Sequence, residues 1–215
     1  MVLEPATVKG KRSYDASGRR AESRRTRDRI TTTAERLFLR DGYAATTVGA
    51  IAGASDVSPD TIYKSFGGKP GLVRAIRDRA LLGDGPLPAE QRSDRLHLDT
   101  AGVRAVIRGW GALASEVAPR VVPILLLIRS AAATDPELMA LLEEMNADRL
   151  RRMRDNARQL HHSGQLREDL TLETVADVLW TYSSPEFYEL LVLGRGWGSQ
   201  RYGRFIAAAM IDALL

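Results

Sequence analysis

The chain contains no cysteine and only three histidines among its 215 residues. The lack of cysteine excludes disulfides, thiolate nucleophiles and cysteine metal ligands. His161 and His162 are adjacent, so on a helix they project about 100° apart and do not form the usual i, i+4 metal pair. A phosphate-binding glycine loop, a nucleophile elbow and zinc-ligand spacing are also missing. We therefore expect no enzyme activity, no cofactor and no metal.

Long apolar runs are also scarce. The longest, Val121–Ile128, is far shorter than the roughly 20 residues that span a bilayer. The N-terminus has no apolar stretch typical of a signal peptide. Strand-like alternation is absent, whereas apolar residues recur at helical spacing over most of the chain. These features predict an all-α protein without a membrane partner, located in the cytoplasm.

Positive charge is concentrated in the first part of the chain. Residues 1–79 hold 16 Lys and Arg against 9 Asp and Glu, whereas residues 80–215 hold 15 against 18. This asymmetry indicates that one end of the protein faces a polyanion. The alternative is a solvated basic surface without a partner. The arginines of residues 24–29 and the basic residues before them stay open to both interpretations.

Start and stop signals divide the first part of the chain into helices. We predict a mobile arm over residues 1–20 and a first helix from about Ser23 to Arg40, ended by Asp41-Gly42. Thr46 or Thr47 caps the second helix, Ser58-Pro59 opens the third, and Pro70 marks a fourth. Two short helices joined by a tight turn are the module that places one helix in the DNA major groove.

Beyond residue 82 the sequence predicts a polar connection over residues 83–98, followed only by helices. The predicted segments are 99–117, 119–133, 135–162, 171–193 and 199–215, with a possible bend near Pro123. Thr134 and Glu137 have the spacing of a capping box at the start of the third of these.

Many spaced residues of the first part carry a family resemblance. The pattern LF–x–x–DGY–x–A–TTV–x–x–IA, followed by VS–x–x–TIY–x–SF–x–x–K–x–x–L, resembles the TetR family of bacterial transcriptional regulators. The match runs from about Arg29 to Ala80. Two positions depart from the family pattern: Asp56 stands where the turn usually has glycine, and Pro70-Gly71 replaces an acidic pair that often follows the lysine.

The resemblance implies an all-helical homodimer with an N-terminal DNA-binding domain and a C-terminal domain for ligand binding and dimerisation. We accordingly divide the chain into the arm (1–20), the helix-turn-helix domain (21–68), a connecting helix (69–82) and the C-terminal domain (83–215). In the second domain, side chains on and beside the third helix are expected to reach phosphates or base edges. The alternative is a solvated helix face. The candidate residues are Thr47, Ser58, Asp60, Thr61, Tyr63, Lys64, Ser65 and Lys69.

The C-terminal domain is expected to hold an effector pocket and the dimer interface. Candidate pocket residues are Trp110, Leu125, Arg129, Met145, Met153 and Trp180, since methionines suit adaptable apolar sites. Ordinary core packing is the alternative for each of them. The apolar stripe of the last helical segments is the candidate dimer interface: Leu190, Phe205, Ile206, Ala209, Met210 and Ala213. The alternative is that this stripe packs only within its own subunit.

Together these features favour a dimeric repressor that binds a near-palindromic operator and is released by a small, largely apolar effector. Two other functions stay open. One is a dimeric DNA binder that needs no effector, and the other is a helical carrier or enzyme that retains the module as a scaffold.

Overall fold

The computed structural model describes residues 16–82, 87–99 and 102–215. Every regular element in these ranges is helical, as predicted. The elements are α1 (Ala16–Asp41), α2 (Val48–Ala54), α3 (Pro59–Phe66), α4 (Lys69–Leu82), α5 (Ala89–Asp99), α6 (Val103–Ala132), α7 (Pro136–His162), α8 (Leu172–Tyr182), α9 (Pro185–Tyr188), a π-helical segment (Glu189–Gly194) and α10 (Ser199–Leu214).

Helix α1 is longer than the sequence predicts. It includes residues 16–20, which were assigned to a mobile arm, while residues 1–15 of that arm lie outside the described residues. The predicted stop is confirmed, because α1 ends at Asp41 and Gly42 adopts a positive φ of 84°.

Helices α1 to α4 close around one apolar core. Ile30 and Phe38 of α1, Ile51 of α2, Ile62 of α3 and Leu72 of α4 are all completely buried in it. The helices α6 and α7 complete this core, contributing Ile124, Ile128, Leu138 and Leu141. The N-terminal helices are therefore packed directly against the long helices that follow them.

The sequence prediction for residues 83–133 is wrong at two places. Residues 89–99 form helix α5 instead of a polar connection, so His97 lies on a helix. The segments predicted as 99–117 and 119–133 are one helix, α6, which contains both Pro119 and Pro123. A proline inside a helix lacks the backbone N–H that would bond four residues back, yet α6 continues through both.

Two other predicted boundaries are corrected. Asp135, and not Thr134, caps α7: its carboxylate accepts hydrogen bonds from the backbone N–H groups of Glu137 and Leu138. The segment predicted as 171–193 is interrupted after Tyr182. Ser184 caps a new turn with Pro185 at its first position, and a π-helical segment follows.

Helix α10 lies against α6 through glycines. A Cβ atom added to Gly111 would collide with the carbonyl oxygen of Gly203, and one added to Gly203 would collide with that of Gly111. The two backbones therefore touch directly. By length and composition alone α6 could cross a membrane, but in this fold it is the helix around which α4, α5, α7 and α10 pack.

Candidate nucleic-acid interface

The third helix has the geometry of a reading helix. The Ser58 hydroxyl accepts a hydrogen bond from the Thr61 backbone N–H, and Pro59 follows at the first helical position, as the sequence predicts. Ile62 faces the core with no exposed surface, which turns the opposite side of α3 to solvent. That side carries Asp60, Tyr63, Lys64 and Ser65 exposed, with Thr61 half-buried beside them. The ring of Tyr63 is 56% exposed.

The turn between α2 and α3 holds the one positive-φ residue other than glycine in the described part of the chain. Asp56 has φ 51°, which is the left-handed conformation that glycine adopts without cost. Glycine would therefore fit this position without strain. At the other end of α3, Gly67 closes the helix with φ 76°, and its N–H bonds to the Tyr63 carbonyl at 2.8 Å.

The two threonines before α2 have different roles. Thr47 is exposed and caps α2, accepting a hydrogen bond from the Ala50 backbone N–H at 3.0 Å. Thr46 is buried, and its hydroxyl donates to the Gly42 carbonyl at 2.8 Å. Only Thr47 is therefore placed at the surface beside α3.

Lys69 is held at the start of α4 by Tyr43. Its ammonium donates to the Tyr43 carbonyl at 2.5 Å and lies 4.0 Å from the centre of the Tyr43 ring. Burial lowers the pKa of Lys69, and the nearby Asp135 carboxylate counteracts part of that shift. Burial raises the pKa of Tyr43, and the negative charge of the nearby Asp135 carboxylate contributes. Lys69 therefore ties the end of α1 to α4 near the cap of α7, a structural role that the sequence did not indicate.

Arginines of α1 extend the basic surface beside α3. Arg27 donates to the Ser65 carbonyl at 2.6 Å and stacks on the Phe66 ring at 4.2 Å, so it fixes α1 to the end of α3. Arg24, Arg25 and Arg29 are exposed and make no ion pair with any other described residue. Arg27 therefore has a structural role, whereas Arg24, Arg25 and Arg29 are available to a polyanion.

Helix α4 is bonded to helices on both sides. Arg79 donates to the Thr32 hydroxyl and to the Glu35 carboxylate of α1. Arg74 forms a two-pronged pair with Glu144 of α7, with N–O distances of 2.7 and 2.8 Å. This bond holds the pKa of Glu144 below its usual value. The helix that leaves the DNA-facing domain is thus fixed both to that domain and to α7.

The structure does not gather the six predicted pocket residues around one cavity. Met145 packs against the core of α1 to α4, whereas Trp110, Leu125 and Met153 pack against the C-terminal core. Arg129 is exposed and bonds to Glu186 and Glu189. Trp180 lies under Arg149, a residue that the sequence did not single out. The Arg149 guanidinium is 3.3 Å from the ring centre and donates to the Trp180 carbonyl, and burial lowers its pKa to about 10.

The predicted dimer residues separate into buried and exposed groups. Ile206 and Met210 are buried in the C-terminal core of their own subunit. Leu190 and Phe205 remain 65% and 39% exposed, and Ala209 and Ala213 are half-buried. Leu193, three residues after Leu190, is 56% exposed as well.

Comparison with known proteins gives a family match for the N-terminal helices. Residues 30–76 match the model of the bacterial regulatory proteins of the tetR family, the same residues that build α1 to α4 around α3. This part of the chain is therefore similar to the TetR family. Proteins of this family are transcriptional regulators that bind DNA and are not enzymes. Among proteins of curated function, none matches the chain by sequence.

Solved TetR-family structures share the whole fold. The chain is similar to NalD of Pseudomonas aeruginosa, the secondary repressor of the MexAB-OprM multidrug efflux pump, with a TM-score of 0.68, 22% identity and coverage of 91% of this chain and 98% of NalD. SmeT in complex with triclosan has a TM-score of 0.69 and 24% identity, covering 89% and 92%. A putative regulator of Saccharomonospora viridis in complex with choline has a TM-score of 0.66 and 18% identity, covering 89% and 98%. At these identities the likeness establishes the fold.

Proposed function

We propose that this TetR-family regulator is a homodimeric repressor in the cytoplasm that leaves its operator when a small effector binds. The solvent-exposed face of α3 is the observation that supports DNA binding. It presents Asp60, Tyr63 and Lys64 outward from a helix whose other side is anchored by fully buried Ile62. A helix of this kind fits the major groove, where donors and acceptors near its N-terminus reach base edges.

The surroundings of α3 supply the contacts to phosphates in this proposal. Thr47 at the start of α2 and Tyr63 and Lys64 on α3 are exposed on the same domain. Arg24 and Arg25 add positive charge from α1. Phosphate contacts position a protein on the duplex, while base contacts specify the sequence. We assign Asp60, Thr61 and Ser65 to base edges, Ser58 to the start of the reading helix, and Lys69 to its support.

An operator search followed by a gel-shift titration tests this assignment. Selection from a random DNA pool is expected to yield an inverted repeat with half-sites about 34 Å apart, one helical turn. The Tyr63→Ala, Lys64→Ala variant is expected to bind that sequence at least about tenfold more weakly. Its operator affinity should also depend less steeply on salt, because binding with fewer phosphate contacts releases fewer counterions.

Arg151→Ala is the matched control, since it removes an exposed arginine on α7 that pairs only with Asp148. Its operator affinity should equal that of the wild type. Unchanged affinity of the α3 variant would show that another surface reads the DNA.

Two-fold pairing is proposed through the outer face of the last elements. Leu190 and Leu193 of the π-helical segment and Phe205 of α10 are exposed apolar side chains. Ala209, four residues after Phe205, is half-buried and small enough to allow close approach of a second backbone. An isologous dimer buries such a face against its own copy, and it places two reading helices on successive major grooves.

Sedimentation equilibrium tests the dimer. The Leu190→Glu, Leu193→Glu variant is expected to be monomeric, because two carboxylates would have to be buried without partners. Met139→Glu is the control: Met139 is 49% exposed on α7, outside the proposed interface. A dimer that persists in the first variant places the interface elsewhere.

We propose that an effector acts through the core that α6 and α7 share with α1 to α4. We divide the protein into the helix-turn-helix domain (21–68), the connecting helix (69–82) and the C-terminal domain (83–215), but Ile124 and Ile128 of α6 enter the first core. An effector that binds better to one arrangement of α6 and α7 would shift the spacing of the two reading helices. The relatives bound to triclosan and choline support a small-molecule effector.

A further inference from the structure

A surface groove of about 530 Å³ runs between α6 and α10. Arg104 and Arg108 line it from α6, and Arg204 lines it from α10. Its floor is formed where Gly111 and Gly203 meet. This volume lies within the range of small-molecule sites in proteins.

The floor of the groove is fixed by the helix crossing. A Cβ on Gly111 or Gly203 would collide with the carbonyl oxygen of the other, so the two backbones are in direct contact. The neighbouring lining residues Ala112, Ser115 and Ala208 carry small side chains that leave the groove open. The site is therefore preformed by backbone packing.

The arginines of the groove differ from those of α7. Every arginine of α7 has a partner: Arg149 stacks on Trp180, and the other four pair with acids, namely Arg151 with Asp148, Arg152 with Asp94, Arg154 with Glu173 and Arg158 with Asp155. Arg104, Arg108 and Arg204 make no hydrogen bond or ion pair with any described residue. Asp212 is the single acidic side chain lining the groove. The groove therefore carries uncompensated positive charge.

We propose that this groove binds a small organic anion. A guanidinium group presents a planar set of donors that matches a carboxylate or phosphate. Arg104, Arg108 and Arg204 would hold the charged group from two sides, and Ala207 and Ile211 would contact the apolar body of the ligand. None of the six residues that the sequence predicted for a ligand pocket lines this groove.

The binding site depends only on α6 and α10 and is independent of DNA binding. That its ligand is the effector rests on the proposed function. In that case the effector is anionic, contrary to the largely apolar effector expected from the sequence. It would act on α6, whose other end lies in the core of the DNA-binding domain.

Fluorescence titration with anilinonaphthalene sulfonate, an apolar anion that brightens on binding, tests the site in the full chain. The wild type is expected to bind one molecule per chain. The Arg108→Gln, Arg204→Gln variant should bind at least about tenfold more weakly, because two charged hydrogen-bonding groups are lost. Ala208→Leu should weaken binding as well, since it fills the groove without changing the charge.

Two controls separate charge from general stickiness. The Arg151→Gln, Arg154→Gln variant has the same charge change on α7 and should bind as the wild type does. Uncharged phenylnaphthylamine should bind the wild type and both arginine-to-glutamine variants equally. Displacement of the probe by benzoate or citrate would identify a carboxylate site, and displacement by inorganic phosphate a phosphate site; either result supports the proposal.

Equal affinity of the wild type and the Arg108→Gln, Arg204→Gln variant for the sulfonate would overturn the proposal. So would loss of the dimer in this variant by sedimentation, because the groove would then be a contact with the second copy. Operator binding is measured in parallel. If a variant no longer binds the probe but still binds the operator, the groove has lost its ligand while the DNA-binding function is intact, so the two proposals are tested separately.

Discussion

Replacing Gly71 by alanine sets two opposing effects against each other. Gly71 lies in the first turn of α4, and alanine in a helix is about 1 kcal/mol more favourable than glycine. The added Cβ, however, would collide with the carbonyl oxygen of Phe66, at the end of α3. A Cβ atom and a carbonyl oxygen are both fixed by the backbone, so no side-chain rotation can relieve this contact. Overpacking of this kind costs about 1–3 kcal/mol, and a backbone clash belongs at the upper end.

We therefore expect Gly71→Ala to lower the free energy of unfolding by about 2 kcal/mol, or the melting temperature by about 4–8 °C. Relief of the clash must move α3 relative to α4, so operator affinity should fall as well. Urea unfolding followed by circular dichroism measures the first effect and gel-shift titration the second.

Gly53→Ala in α2 is the matched control for Gly71→Ala. A Cβ at Gly53 would meet nothing within 4 Å, so only the helix-propensity gain remains, and the variant should be as stable as the wild type or more so. If Gly71→Ala were as stable as Gly53→Ala, the close approach of α3 and α4 would be refuted.

Three further substitutions test local features. Asp56→Gly should raise the free energy of unfolding by up to about 1 kcal/mol and Asp56→Val should lower it by about 1–2 kcal/mol in urea titrations, because only glycine adopts φ 51° without strain. Burial lowers the pKa of His97, so the unfolded chain binds a proton at this side chain more readily than the folded chain does. The free energy of unfolding of the wild type, relative to that of His97→Gln, should therefore fall as the pH drops below about 6.5. A difference that does not depend on pH would contradict this. Arg149→Lys should cost about 1–2 kcal/mol and alter tryptophan fluorescence, because an ammonium group cannot both stack on Trp180 and donate in the same geometry.

The elements around α3 could be predicted because their signals are local. Ser58 followed by Pro59 specifies a helix start through its own hydrogen bond, and Gly42 specifies a stop through its backbone freedom. Ser184 followed by Pro185 carries the same start signal, so the break after α8 was readable from the sequence although the prediction ran through it.

Helix α5 could not be found by apolar periodicity. The residues that it buries four apart are Ala89 and Ser93, one too small and the other too polar to register as a stripe. The continuity of α6 was equally hidden, since Pro119 and Pro123 disfavour a helix locally and packing on several sides overrides them. The open groove beside Gly111 and Gly203 arises from two segments about ninety residues apart, and no local signal places them together.

The link between the two cores depends on apolar packing more than on ion pairs. Arg74 and Glu144 are both almost half-exposed, and a pair of this kind contributes about 0–1 kcal/mol. Truncation of a fully buried isoleucine such as Ile128 costs about 2–5 kcal/mol. Helix α6 carries Ile107 in the C-terminal core and Ile128 in the DNA-binding core, so both cores share one rigid element. We therefore expect a displacement of α6 at the groove end to change how α1 to α4 are held, because one helix joins the groove to their core.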